Sequence, residues 1–215
     1  MSKIYISSLA DAALQEYLKN CGHTLIKINP KPGMDAAIAC HPDIYMCQLG
    51  KDIFHGNADL LLPNYPGNAI YNGCSTGKFF LHNLKITSPD LLAMVERTNH
   101  IKIHVSQGYT KCNCVVIDES SIITSDKGIE KAAATAGVDV LLIKPAQVLL
   151  DGYKYGFLGG ASGKVGNVII FNGNIEAHSD YQEIKAFIKD RNLDIVYFNQ
   201  YPLIDIGSII EEIKQ

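Results

Sequence analysis

The 215-residue sequence predicts an α/β fold, a five-bladed α/β propeller of pseudo-five-fold strand–strand–helix–strand units whose ring is closed by the N- and C-terminal strands. Three observations predict it. A stretch from Gly108 to Asp126 reads as glycine-containing loop, apolar strand, polar turn, second strand and helix start. Moved by 54 positions, its grammar returns at Asn167 to Asp180, with Val115-Val116 falling on Ile169-Ile170 and Ser125-Asp126 on Ser179-Asp180. Self-similarity at such a period is the mark of a repeat or propeller architecture. Marking the residue before each first hairpin strand then gives Asp43, Lys78, Asn113, Asn167 and Ser208, spaced 35, 35, 54 and 41 apart. Finally, the last unit has one strand before the chain ends, and the first residues supply the strand, helix and strand that it lacks. The competing explanation is an ordinary αβ sandwich in which two hairpins are alike by chance.

The elements follow in order. Lys3 to Ser7 alternates as a strand, Ser8 offers an N-cap, and Leu9, Ala13, Leu14, Tyr17 and Leu18 recur at helical spacing up to Gly22. Thr24 to Asn29 is a strand ended by Pro30, and Ile44 to Gln48 with Asp52 to His55 form a hairpin. Pro63 and Pro66 limit Asn57 to Gly67 to one or two helical turns. Ala69 to Tyr71, Phe79 to Leu81 and Leu84 to Thr87 read as short strands around the loop Asn72 to Gly77. Ser88-Pro89-Asp90 starts a helix with Ser88 as cap, and Ile101 to Val105 is the next strand. Asp126 caps a helix to Gly137, Val138 to Ile143 is β-like, and a long loop spans Pro145 to Gly166. A hairpin over Asn167 to Ala177, a helix from Asp180 to Arg191, and strands at Leu193 to Phe198 and Ser208 to Ile213 complete the chain. No Gly/Ser or Pro linker divides residues 1–215, so one domain is expected.

Composition narrows the function. With 47% hydrophobic residues the chain can bury a core, and a net charge of −3 supplies no basic field for nucleic acid or anionic membrane. The first twenty residues lack a signal-peptide pattern, because Asp11 and Gln15 break the apolar run, and no run approaches a membrane span. The six cysteines form no CxxC pair and read as cytosolic thiols, so a cytoplasmic protein is expected.

If the units are equivalent, the five loops before the hairpins converge. They carry Asp35 and His41-Pro42-Asp43; Asn72 and Cys74; Gln107, Tyr109, Lys111 and Cys112; Asp151, Tyr153, Tyr155, Ser162 and Lys164; and Tyr201 and Asp205. A thiol works as a nucleophile when ionised by a nearby cation or base, which Lys111 or His41 would supply to Cys112. A histidine beside a carboxylate shuttles protons near neutral pH. Paired carboxylates such as Asp43 and Asp205 suit a planar guanidinium or amidinium. Cys114 lies in an apolar strand and reads as core. Gly159 to Gly166 lacks the phosphate-loop register, since Val165 follows Lys164. A zinc site has no supporting spacing.

These residues bear a resemblance to the penteins, the guanidino-group-modifying fold of arginine deiminase, agmatine deiminase and dimethylarginine dimethylaminohydrolase. His41-Pro42-Asp43-Ile44 is similar to that family's His-x-Asp motif, and Gly108-Tyr109-Thr110-Lys111-Cys112-Asn113 to its glycine-rich loop with the nucleophilic cysteine. Leu203 to Ile210 resembles its acidic Glu-Gly-Gly-Asp-Val segment, displaced to the end of the chain as in a circular permutation; the Arg-Asp-Pro substrate motif is absent. The resemblance also extends to an uncharacterised bacterial family assigned to this fold. It implies a Cys-dependent hydrolase or transferase acting on a small cationic guanidino or amidino compound through a covalent thiouronium. In that reading Cys112 is the nucleophile, His41 the acid/base and Asp205 its acidic partner. Asp43, Asp35, Tyr109, Lys111, Asp151, Tyr153, Tyr155 and Lys164 surround the substrate, with no cofactor or metal, and a homodimer is an allowed assembly. The alternative is an inactive pentein used as a binding module, like the ribosome anti-association factor of this fold.

Overall fold

The computed structural model describes residues 2–213; Met1, Lys214 and Gln215, at the ends of the expected domain, lie outside the described residues. The chain alternates short strands with four nine-residue helices. It begins with β1 (Lys3–Ser7), α1 (Ala12–Asn20), β2 (Thr24–Ile28), β3 (Met46–Leu49), β4 (Asp52–His55), β5 (Cys74–Ser75), β6 (Phe79–His82), α2 (Pro89–Arg97) and β7 (Ile101–His104). A single-turn α3 (Thr110–Asn113) leads into β8 (Cys114–Asp118), β9 (Ser121–Thr124), α4 (Lys127–Thr135) and β10 (Asp139–Leu142). The last elements are β11 (Ser162–Val165), β12 (Val168–Phe171), α5 (Tyr181–Lys189), β13 (Asp194–Val196) and β14 (Ile210–Glu212). Among the described residues no helix is long and apolar enough to cross a membrane.

The result is a mixed α/β protein whose described strands form five small sheets. Their orders are β14-β1-β2, β3-β4, β5-β6-β7, β8-β9-β10 and β11-β12-β13. Each three-stranded sheet pairs its first two strands antiparallel and its last two parallel. The N-terminal strand lies against the C-terminal one, with Lys3 opposite Glu212 and Tyr5 opposite Ile210. The first strands of the sheets are neighbours in succession: β14 lies against β11, β11 against β8, β8 against β5 and β5 against β3. Gln48 of β3 reaches back to the Glu211 carbonyl of β14 at 3.2 Å.

Strand side chains alternate between faces, and on inner strands such as β6 and β12 both faces are covered. On β12, Ile169 and Phe171 join the cluster with Val115, Ile123 and α5, while Ile170 joins the cluster with Ile4, Ile6 and α1. On β6, Phe79 and Leu81 face α4 while Phe80 faces α2. The core is therefore a set of clusters between adjacent sheets, and each fully buried aliphatic or aromatic side chain contributes about 1.5–3 kcal/mol. A fifth cluster, Tyr5, Met46 and Ile210, has no helix. It adjoins β3-β4, the sheet without a third strand.

Several local expectations are corrected. The 54-residue repeat holds for the helices, since Asp126 and Asp180 both sit at N-caps, but not for the strands: Val115 lies on β8, the first strand of its sheet, and Ile169 on β12, the second of its own. A 3-10 turn at Ile175–Ala177 lengthens the path from β12 to α5, so there is no hairpin there. The strand opposite β12 lies upstream, inside the expected loop, as β11. Likewise the strand opposite β6 is Cys74–Ser75, and neither Ala69–Tyr71 nor Leu84–Thr87 is a strand. Between 57 and 67 there is one 3-10 turn, Ala58–Leu60. Asp11, not Ser8, caps α1, because its carboxylate accepts from the Ala13 N–H.

The caps of α4 and α2 differ in chemistry. Asp126 accepts from Gly128 and Ile129 N–H at 2.7 and 2.9 Å. Ser88 makes no capping bond, and its buried hydroxyl has no hydrogen-bond partner among the described residues. Asp126→Ala is expected to lower stability by about 1 kcal/mol, whereas Ser88→Ala is expected to be neutral or stabilising because it removes an unpaired polar group. Urea denaturation of both variants checks this; an equal loss at both positions contradicts it.

Candidate functional site

The loops that lead into the first strands of the sheets meet in one buried cluster. His41 precedes a 3-10 turn, Pro42–Ile44, which carries Asp43 ahead of β3. Asn72 precedes β5, Lys111 and Cys112 lie in α3 ahead of β8, Gly159 and Gly160 precede β11, and Asp205 and Ser208 precede β14. His41, Asp43, Asn72, Cys112, Asp205 and Ser208 are all buried.

Asn72 is the brace. Its backbone carbonyl accepts from Thr110 and Lys111 N–H at 3.1 and 3.0 Å. Its side-chain oxygen accepts from Lys111 and Cys112 N–H at 2.9 and 3.3 Å. It thereby satisfies the free N–H groups at the start of α3, the groups no helix can pair internally. The Asn72 amide also donates to the Asp43 carbonyl at 3.1 Å and approaches Cys112 Sγ at 3.4 Å.

The Cys112 thiol donates to Asp43 Oδ2 at 2.9 Å, and the Ser208 hydroxyl reaches the same oxygen at 2.8 Å. Lys111 Nζ donates to Ser208 Oγ at 3.0 Å. His41, Asp43 and Cys112 hold their polar atoms within 4.8 Å of one another. His41 Nδ1 and Asp43 Oδ1 have no hydrogen-bond partner among the described residues, which leaves two buried polar atoms unsatisfied. Burial governs the protonation of the group. It lowers the His41 pKa against the pull of Asp43 and Asp35, and so favours the neutral imidazole. It raises the Asp43 carboxyl, and together with the Asp43 and Asp205 charges it pushes the Cys112 thiol well above its usual value.

Asp205 is raised to about 6, mainly by burial, although the Phe157 and Gly207 N–H groups bond its two oxygens at 2.9 and 3.0 Å. His41 Nδ1 is 3.8 Å from Asp205 Oδ1, within ion-pair reach of a protonated imidazole but longer than a hydrogen bond. The glycine-rich run is what allows this crowding. A side chain on Gly160 would overlap the Asp205 carboxylate, one on Gly159 would strike the carbonyls of Lys111, Cys112 and Cys114, and one on Gly207 would overlap His41. Gly159 to Gly166, considered in the sequence for phosphate, thus begins with the contact surface for the site backbone.

A cavity of about 140 Å³ opens on this cluster, lined by Ile38, His41, Tyr109, Cys112, Leu150, Tyr153, Tyr155, Phe157 and Asp205. Of the expected substrate residues, the three tyrosines line it, and Asp35 accepts a hydrogen bond from the Tyr153 hydroxyl at its edge. Asp43 does not line it and sits behind Cys112. Asp151 is exposed and outside it. Lys111 and Lys164 line a different cavity; Lys164 donates to the Ile117 carbonyl at 2.6 Å. The displacement of Lys164 follows from the strand register, since it belongs to β11 and not to the loop before it. Ser208, Gly159 and Gly160 carried no assigned role in the sequence; the glycine density of 156–163 was the available signal.

The fold and the site together define a mixed α/β protein that gathers a thiol, an imidazole and two carboxylates from separate loops. The chain belongs to a family of unknown function, DUF6873, which matches residues 53–210. That span contains Asn72, Cys112, Asp205 and Ser208, while His41 and Asp43 precede it. No curated protein matches the chain.

Asp205 makes the site sensitive to pH. Because its folded pKa lies above the unfolded value of 3.8, its contribution is fully present below about pH 4 and is lost as pH rises towards 6. The loss is on the order of 3 kcal/mol. Asp205→Asn is expected to flatten stability between pH 4 and 6 relative to wild type. Chemical denaturation across that range is the check, and an unchanged slope contradicts the assignment.

Proposed function

We propose that the protein is a Cys-dependent hydrolase or transferase acting on a small cationic guanidino or amidino compound through a thiouronium on Cys112. We further propose that its five sheets are the blades of one pentein-like propeller domain. The succession of first strands from β14 to β3, the Gln48–Glu211 contact and the β1–β14 pairing support the ring. The observation that carries the function is the meeting of Cys112, His41 and Asp205 on one aromatic cavity, with Asp43 bonded to the thiol. The cavity is smaller than the roughly 300–1,000 Å³ of drug-sized sites, in keeping with a compact substrate. A nucleophilic thiol among six free cysteines fits a reducing, cytoplasmic setting.

In this reading the cation brings the charge that the resting site lacks. Positive charge beside Asp205 and Asp43 favours ionisation of Cys112, and the neutral His41 takes the thiol proton. The thiolate then bonds to the central carbon, the carbon–nitrogen bond breaks, and His41 returns the proton to the departing amine. A water molecule gives its proton to His41 as its oxygen bonds to the same carbon. The carbon–sulfur bond then breaks, and the thiol recovers its proton. Nothing is oxidised or reduced.

A second reading, a binding module without catalysis, is favoured by one observation: the Cys112 thiol is buried and its ionisation is strongly disfavoured in the free protein. Alkylation of Cys112 followed by mass spectrometry, with and without guanidino and amidino compounds, separates the two. The free protein is expected to label slowly. A substrate is expected to accelerate ionisation and to leave an acid-trappable adduct on Cys112, absent in Cys112→Ser. His41→Ala is expected to lower turnover about 10²–10⁴-fold. Binding of these compounds without adduct or turnover supports the module and ends the enzyme reading.

A further inference from the structure

The cavity lined by Lys111 and Lys164 is larger than the one at Cys112, about 270 Å³, and shares no lining residue with it. It is bounded by β8, β11 and β14 on the side of the β3–β4, β8–β9 and β11–β12 turns, whereas the Cys112 cavity lies on the side where the chain enters those strands. Both lysines are partly buried. Neither forms an ion pair among the described residues. Lys111 Nζ donates to the Ser208 hydroxyl and Lys164 Nζ to the Ile117 carbonyl, both neutral acceptors.

Each ammonium has three N–H donors, so these single bonds leave two on each group. Removing such a charge from water is unfavourable unless an opposite charge meets it. Three carboxylates also line the cavity, and the charges of Asp118 and Glu119 reach Lys164, but none of the three bonds either ammonium. Asp118 pairs with Arg191 at 3.3 Å, Glu211 accepts from the Gly166 N–H at 2.8 Å, and Glu119 is exposed in the β8–β9 turn.

We propose that this second cavity binds a small oxyanion, a carboxylate or phosphate, between Lys111 and Lys164, and that its occupancy restrains Cys112. The coupling path is short and continuous. Lys111 Nζ bonds Ser208 Oγ at 3.0 Å, Ser208 bonds Asp43 Oδ2 at 2.8 Å, and the same oxygen accepts from the Cys112 thiol at 2.9 Å. An anion on Lys111 adds negative charge one residue from Cys112 and competes for the ammonium that supports Ser208. Both effects disfavour the thiolate. The site goes beyond the proposed chemistry and does not depend on it, because binding and thiol labelling are read without turnover.

The test titrates the intact protein with inorganic phosphate and, separately, acetate at constant ionic strength, using calorimetry and thermal unfolding. Iodoacetamide labelling of Cys112 at fixed pH is followed alongside. Saturable binding is expected, with about tenfold weaker affinity in Lys164→Gln and near-normal affinity in Lys164→Arg. Saturation is expected to slow Cys112 labelling about threefold or more, while Lys164→Gln without anion labels like wild type. Tighter binding of phosphate or of acetate then assigns the source of the oxyanion. A response that never saturates, or saturable binding unchanged by Lys164→Gln and Lys111→Gln, overturns the site. Normal binding with unchanged labelling overturns the coupling.

Discussion

The carboxylate of Asp43 is fully buried, and a buried carboxylate must find donors within the protein. Here the donors come from positions far apart in the chain: the Cys112 thiol, 69 residues away, and the Ser208 hydroxyl, 165 residues away, share one oxygen. Asn72 locks the third side by holding the Asp43 carbonyl and the first turn of α3 together. Three sheet-leading loops are therefore fixed to one atom group. The other carboxylate oxygen, Oδ1, has no hydrogen-bond partner among the described residues. The network is thus paired at Asp43 Oδ2 and unpaired at two atoms, Asp43 Oδ1 and His41 Nδ1.

That arrangement is possible because the inner strands, such as β6, β9 and β12, are buried on both faces. Each sheet shares one hydrophobic cluster with the sheet before it and another with the sheet after it, as Ile169 and Ile170 on β12 illustrate. With their side chains committed to those clusters, the strands leave their leading ends free to carry polar groups inward. The sheet β3-β4 departs from the pattern. It has neither third strand nor helix, and residues 56–73, with the 3-10 turn Ala58–Leu60, occupy the path that a helix and strand take elsewhere. Asn72 lies at the end of that irregular path, so the least regular connection delivers the residue that braces the site.

Close approach sets the second limit. Gly159 and Gly160 bring the backbone before β11 against the Cys112 carbonyl and the Asp205 carboxylate, with Gly160 N–H bonded to Cys112 O at 2.8 Å. Ser208 adopts a positive φ of 72°, and the adjoining Gly207 packs on His41. The polar network thus depends on small residues as much as on its acids and bases, because any Cβ at these points would push the charged groups apart.

Local chemistry made much of this legible before folding was considered. Apolar and alternating runs placed β1, β2, β4, β7 and β10 within a residue or two, since β-branched and aromatic residues fit a pleated, half-buried surface. The Asp126 cap and the Pro89 start followed from helix-end hydrogen bonding. Cys112, His41 and Asp205 stood out because thiol, imidazole and carboxylate are the groups that carry charge or protons. Two of the first strands, β5 and β11, were not legible. Cys74–Ser75 and Ser162–Val165 are short, polar or glycine-containing, and only their partners Phe80–Leu81 and Val168–Phe171 make them strands. The same pairing moved Lys164 from a loop into β11 and turned it towards the second cavity. The direction of Asp205 was likewise set by two backbone N–H groups at Phe157 and Gly207, far apart in sequence. Residue type specifies what a side chain can do, whereas its neighbours depend on contacts between distant segments, which exist only in the folded chain.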